Sequence, residues 1–162
     1  MKLLATAAIV AAAALSAPAA AQDFSGARIG ANVGFADDDA FGTEALVYGV
    51  NVGYDFDLGG AVAGVSAEYA DSDEDGIGRD LSVSGRIGGK VGTRAMIYAL
   101  GGYTNLSVDL PGDDFELDGA RLGAGVEFAL TPNVFANGEY RYSNYELGFE
   151  THQMLVGAGF RF

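Results

Sequence analysis

Residues 120–128 read Ala120-Arg121-Leu122-Gly123-Ala124-Gly125-Val126-Glu127-Phe128. Every even position is apolar and every odd one is glycine or charged, which is the two-residue period of a β-strand with unlike faces. The same period recurs on both sides of this stretch. Ala27, Ile29, Ala31, Val33 and Phe35 alternate with Arg28, Gly30, Asn32 and Gly34, and Leu46, Tyr48, Val50, Val52 and Tyr54 with Gly49, Asn51, Gly53 and Asp55. Ala61, Ala63, Val65, Ala67 and Tyr69 oppose Gly64, Ser66 and Glu68, and Leu81, Val83 and Ile87 oppose Ser82, Ser84 and Arg86. Toward the end, Val134, Ala136, Tyr140 and Tyr142 oppose Asn137, Glu139 and Arg141, and Met154, Val156, Ala158, Phe160 and Phe162 oppose Gln153, Gly157, Gly159 and Arg161. One further segment, Ala95 to Leu106, is apolar on both faces, so its phase stays open.

With that segment the pattern predicts eight strands. Their connections alternate in length. Polar loops are expected at Ala36–Glu44, Ala70–Arg79, Asn105–Gly119 and Glu146–Thr151, and tight turns at Phe56–Gly60, Gly89–Thr93 and Thr131–Asn133. Tight turns at one end and long loops at the other describe an up-and-down meander; in transmembrane barrels these are the periplasmic and extracellular ends.

The polar face decides what the apolar face touches. A soluble barrel points its apolar residues inward around a ligand and its polar residues to water. Here the second face is glycine with Arg, Glu, Asn and Ser, which suits neither a greasy cavity nor a stable solvated strand, because glycine weakens strands unless space is needed. In a membrane barrel the same set fits a narrow lumen. The apolar side then meets lipid, with Tyr48, Tyr54, Tyr69, Tyr140, Tyr142, Phe35 and Phe128 as candidates for the aromatic girdles.

Charge supports that assignment. The inward positions carry Arg28, Arg86, Lys90, Arg121, Arg141 and Arg161 against Asp55, Glu68, Asp80, Glu127 and Glu139, a near balance that desolvated charges require. Within this network Arg28, Glu68, Arg86, Arg121, Glu127, Glu139, Arg141 and Arg161 are the candidate lumen pairs. Glu139 is expected at mid-depth beside Arg86, Arg121 or Arg141. The excess negative charge falls in the loop segments, at Asp37 to Asp39, Glu44, Asp71, Asp73 to Asp75, Asp109, Asp113, Asp114, Glu116, Asp118, Glu146 and Glu150.

The composition sets the outer bounds. The chain has 162 residues, a formal net charge of -13 with only 9 Lys and Arg, 25 Gly and no Cys. The lack of cysteine excludes a disulfide scaffold, a thiolate zinc site and a Cys nucleophile, and the acidity argues against a nucleic-acid partner. Residues 1–21 combine Lys2, an apolar run from Leu3 to Leu15, Pro18 and Ala19-Ala20-Ala21. This is the pattern of a signal peptide cut before Gln22. The expected fold is therefore all-β: an eight-stranded antiparallel up-and-down transmembrane β-barrel at 22–162, preceded by a signal peptide.

Three segments resemble the small OmpA-like and OmpX-like outer-membrane β-barrels, in particular the opacity or porin-like barrel family of proteobacteria. They are Gly138-Glu139-Tyr140-Arg141-Tyr142-Ser143-Asn144-Tyr145, the final Gly157-Ala158-Gly159-Phe160-Arg161-Phe162, and Ile97-Tyr98-Ala99-Leu100-Gly101-Gly102-Tyr103. The resemblance implies an integral protein of the Gram-negative outer membrane, with Phe160 and Phe162 read by the barrel-assembly machinery. It also implies contact with outer-membrane lipid and lipopolysaccharide, a monomeric state and no cofactor. The peptidoglycan-binding domain of full-length OmpA has no counterpart in the sequence.

Two motifs bear on chemistry. Asp71-Ser72-Asp73-Glu74-Asp75-Gly76 matches the first half of a calcium loop, but Ser82 stands where the bidentate Glu is required, so at most weak divalent-cation binding is expected at Asp71, Asp73 and Asp75. Arg141-Tyr142-Ser143-Asn144 is similar to the His-x-Ser-Asn element of lipid A deacylases, with Arg141 in the histidine position. Arginine stays protonated and cannot serve as a general base. A non-enzymatic, structural and envelope-interaction role follows as the expectation, with a narrow passive channel as the alternative and a lipid A hydrolase as a minor one.

Overall fold

The computed structural model describes residues 24–38, 43–73, 77–110 and 113–162. The expected signal peptide lies outside these residues. Eight strands form a closed barrel in chain order: β1 (Gly26–Asp38), β2 (Thr43–Asp57), β3 (Ala61–Ser72), β4 (Ile77–Val91), β5 (Ala95–Leu110), β6 (Asp113–Ala129), β7 (Val134–Tyr145) and β8 (Glu150–Arg161). Each strand pairs antiparallel with its sequence neighbour, and β1 closes the barrel on β8 from Arg28↔Arg161 to Asp38↔Thr151. Closure leaves no sheet edge through the barrel wall, the condition for crossing a bilayer with strands.

The alternating positions divide as the period requires. Ile29, Val52, Val65, Val83, Ile87, Leu122, Val126 and Val156 stand on the outer wall, with Val83 61% and Leu122 62% exposed. Above them, at the long-loop end, lie Phe35, Tyr48, Tyr69, Tyr103 and Tyr140; below, at the short-turn end, lie Tyr54, Phe56, Phe128, Phe160 and Phe162. A continuous apolar belt between two aromatic rings is unstable in water and fits a hydrocarbon slab.

β5 takes the phase that the sequence left open. Ile97 and Tyr103 face outward, while Met96, Tyr98, Thr104 and Leu106 are buried inside. Met96 and Tyr98 pack with Val62 of β3, with Phe24 just ahead of β1 and with the partly buried Leu100. These side chains fill the lumen at the short-turn end. Gly26 makes the entry of Phe24 possible: its φ is +112°, and a Cβ there would lie 2.2 Å from the Phe162 carbonyl oxygen. Both the left-handed backbone and the contact demand glycine.

Three of the four expected loops are largely strand, which corrects the sequence reading. β1 runs on to Asp38 and β2 starts at Thr43; β3 reaches Ser72 and β4 starts at Ile77; β5 reaches Leu110 and β6 starts at Asp113. In the fourth, a short 3-10 turn covers Glu146–Gly148 before β8 begins at Glu150. The physical reason is that the ladder keeps satisfying backbone N–H and C=O groups above the apolar belt, where the outer face meets water and no alternation of side chains is required. At 16 and 17 residues, β5 and β6 far exceed a membrane crossing, which takes about 9 to 11 residues.

Candidate functional site

The inward faces of the strands carry ten buried or nearly buried charges in three groups. Nearest the short-turn end, Asp55 and Glu127, both 0% exposed, meet Arg28, Arg86 and Arg161. Arg86 donates to Asp55 Oδ1 from Nε at 2.9 Å and to Oδ2 from Nη2 at 2.6 Å, and its Nη1 donates to Glu127 Oε2 at 2.9 Å. This is the bidentate arrangement that a planar guanidinium favours. Arg161 Nη2 donates to Glu127 Oε1 at 2.7 Å and Asp55 Oδ2 at 3.2 Å. Arg28 Nη1 donates to Asn51 Oδ1 at 3.2 Å; its Nε stands 3.2 Å from Asp55 Oδ2, an ion pair too poorly aligned to be a hydrogen bond. Gly64 gives this group its room: a Cβ there would lie 2.0 Å from Asp55 Oδ1.

At mid-depth Arg141 bridges two carboxylates. Its Nη1 and Nη2 donate to the two oxygens of Glu68, the latter at 2.9 Å, and its Nε donates to Glu139 Oε1. Asn32 adds a bond to Glu68 at 2.9 Å, and the Tyr98 hydroxyl donates to Glu139 Oε2 at 2.6 Å. Nearest the long-loop end, Arg121 is 1% exposed and reaches Asp80 from Nη2, Ser143 Oγ from Nε at 2.9 Å and Ser82 Oγ from Nη1 at 3.2 Å. Thr104 and Tyr145 also donate to Asp80.

All eight residues singled out from the sequence line this lumen, but the structure distributes them. Glu139 stands beside Arg141, whereas Arg86 goes to Asp55 and Glu127, and Arg121 to Asp80. The first group alone holds three cations against two anions, the second one against two, and the third one against one, so five guanidinium groups balance five carboxylates. At the short-turn rim Lys90 has its own counter-ion in Asp57, which the inward count from sequence omits. Hydrogen bonds from Lys90 and from the Gly59 N–H hold the Asp57 carboxyl below the ordinary carboxylate range. Tyr98 and the cation–π contacts of Arg161 with Phe24 and Phe135, at 5.4 and 5.5 Å, also escape the sequence reading. Inward apolar groups break the polar-in rule on which that reading relies.

Glu139→Ala is expected to destabilise the barrel by about 3 kcal/mol, because it leaves the five lumen guanidinium groups facing four carboxylates and orphans the Tyr98 hydroxyl. The thermal midpoint in detergent measures it; an unchanged midpoint would remove Glu139 from the network.

The other candidate sites separate. Asp71 Oδ1 accepts the Ser72 N–H at 2.9 Å and Asp73 Oδ1 the Leu46 N–H at 2.8 Å, so both carboxylates secure strand ends; Asp75 lies outside the described residues. Among the described residues no three acidic or imidazole groups gather as a metal site. Ser143 is fully buried on the lumen side under Arg121. His152 pairs across β7 and β8 with Tyr142, one position out of phase with Ser143, and its Nδ1 meets the Tyr140 hydroxyl at 2.6 Å on the outer wall. The barrel wall therefore separates the imidazole from the hydroxyl, and the pair cannot act as base and nucleophile.

Comparison with known proteins gives the same architecture. The chain is 28% identical over 149 residues to the 22 kDa outer membrane protein of Rhizobium leguminosarum bv. viciae, covering 75% of this chain and 71% of that one. The N-terminal β-barrel domain of Pseudomonas aeruginosa OprF superposes with a TM-score of 0.61 at 19% identity, over 83% of this chain and 97% of that one. The outer membrane enzyme PagL superposes with a TM-score of 0.59 at 14% identity, over 83% and 99%. At these identities the two structures speak for the fold alone, which carries enzymes and non-enzymes alike. The model of the outer membrane protein beta-barrel domain matches residues 7–162, and the chain belongs to that family of integral outer-membrane proteins.

Proposed function

We propose that the protein is a closed structural barrel of the outer membrane that stabilises the envelope and offers its acidic hairpins to external partners, without conducting solutes. One observation carries this reading: the lumen cavity lined by Arg28, Glu68, Arg86, Glu127, Glu139 and Arg141 measures about 40 Å³. That is space for a water molecule or a few, and no larger solute. Apolar packing below it and the Arg121 group above it limit access from either end. An eight-stranded barrel is of the size whose interior side chains can fill.

The alternative is a narrow passive channel, favoured by the polar lining of that cavity. Planar-bilayer recording decides: the wild-type protein is expected to show no unitary current, and sustained unitary openings would establish the channel instead. Cleavage before Gln22 and recognition of Phe160 and Phe162 by the assembly machinery belong to the same proposal. Phe162 is 80% exposed at the end of β8, open to an assembly factor. The partners proposed for the hairpins are lipopolysaccharide and divalent cations. Calcium calorimetry without heat at millimolar concentration would strike cations from that set.

A further inference from the structure

Around the lumen cavity the hydrogen-bond acceptors are used up before the donors. Asp55 Oδ1 accepts from Arg86 Nε, and its Oδ2 accepts from both Arg86 and Arg161. Glu127 takes the same two arginines, one on each oxygen. Both oxygens of Glu68 face Arg141, and those of Glu139 divide between Arg141 and the Tyr98 hydroxyl. Every oxygen of these four carboxylates therefore faces a donor already. Arg28 stands apart. It brings five N–H groups, and its Nη1 finds an acceptor in Asn51 Oδ1 at 3.2 Å. Its Nε is buried and, among the described residues, has no hydrogen-bond acceptor. Asp55 Oδ2 lies 3.2 Å from it, out of line and already taking two other bonds.

Charge runs in the same sense. At this end of the cavity three guanidinium groups, on Arg28, Arg86 and Arg161, meet two carboxylates. The carboxylate that balances the count belongs to Glu68 and Glu139, which both lie against Arg141 and point their oxygens at donors of their own. It offsets the charge from across the cavity without giving Arg28 Nε an acceptor. A buried N–H left without one is costly, and more so on a charged group. Arg28 is only 9% exposed, so bulk water does not relieve it.

We infer that the Arg28 end of this cavity binds a monovalent halide ion, chloride above all, which accepts from Arg28 Nε and neutralises the third guanidinium. The cavity of about 40 Å³ that Arg28, Asn51 and Arg86 help to line has room for a particle the size of a water molecule or two. A halide fits that space and a sugar acid does not. Of the species small enough, chloride is purely an acceptor and carries one negative charge. Water carries none, and it brings two further donors into a place where each carboxylate oxygen is already engaged. The ion is a resident part of the lumen network, and planar-bilayer recording of conduction tests a separate property.

The test uses the whole barrel in nanodiscs, with chloride exchanged for gluconate at constant ionic strength. In protein carrying isotope-labelled arginine, one Nε–H resonance is expected to shift saturably with chloride and with bromide and to stay in place with gluconate. Arg28→Gln is expected to remove that resonance. The thermal midpoint of the wild-type barrel is expected to rise by about 3 °C or more between about 1 mM and about 300 mM chloride, as a ligand bound by the folded state alone requires. Arg79→Ala, far from the cavity on the outer wall, is expected to show the same rise, and Arg28→Gln at most about a third of it. Should Arg28→Gln not fold, Arg28→Lys assigns the resonance, and its titration in the wild-type barrel still decides. An Arg28 Nε–H that ignores chloride, one that moves equally with gluconate, or an undiminished midpoint rise in Arg28→Gln would each overturn the site and leave water in its place.

Discussion

Asp55→Ala is expected to destabilise the folded barrel by about 3 to 5 kcal/mol, the range for removing one partner of a buried ion pair. Asp55 is fully buried, and the guanidinium groups of Arg28, Arg86 and Arg161 all converge on it. Without it Glu127 alone faces three cations, in a lumen where little water can replace the lost carboxylate. The temperature at which the barrel loses its fast migration in unboiled gels reads the effect directly. Asp55→Asn keeps the shape and isolates the charge, so its loss is expected to be nearly as large. Adding Arg28→Gln to Asp55→Asn removes one of the surplus cations and is expected to recover part of the loss; strictly additive effects would mean that the three arginines do not share this carboxylate. Arg79→Ala is the contrast. Arg79 and Glu116 are 35% and 58% exposed, and removing a solvent-screened pair is expected to shift stability by at most about 1 kcal/mol.

Where alternation was legible, lipid was the reason. Leu122, Val83 and Val156 must meet hydrocarbon, and Arg121, Arg86 and Glu127 must not, so the period-two pattern survives along seven strands and reports both strand and face. β5 lost its phase because Met96, Tyr98 and Leu100 turn inward to pack with Phe24 and Val62; once the lumen itself has an apolar floor, polarity no longer distinguishes inside from outside. The strand ends failed for the opposite reason. At Asn105–Leu110 and Asp113–Gly119 the outer face is not obliged to be apolar, and only the backbone ladder shows that the sheet continues. The partition of the lumen charges was also beyond a linear reading. Glu68 and Arg141 lie on β3 and β7, opposite walls of the barrel, and meet because both side chains cross the lumen. Which arginine takes which carboxylate depends on the stagger of all eight strands, and no local spacing encodes it.

Gly34→Ala tests how the barrel closes, and is expected to destabilise it by about 1 to 3 kcal/mol or more, as forced overpacking does. Gly34 sits on β1 in register with Leu155 of β8. A Cβ there would fall 1.9 Å from the Met154 carbonyl oxygen and 2.8 Å from the Leu155 Cα. Those are backbone atoms that no rotamer change can withdraw, so the methyl group must push β1 away from β8 and lengthen the hydrogen bonds of the closing seam. Gly89→Ala on β4 is the control, because a Cβ at Gly89 meets nothing within 4 Å, and its effect is expected to stay within about 0.5 kcal/mol. Hydrogen exchange localises the difference: Gly34→Ala should speed exchange along Ile29–Asp37 and His152–Phe160 while leaving the β4–β5 ladder protected. Matching midpoints for the two alanine variants, with the β1–β8 amides unchanged, would show that the seam tolerates the methyl group and that the close approach at Gly34 does not limit closure.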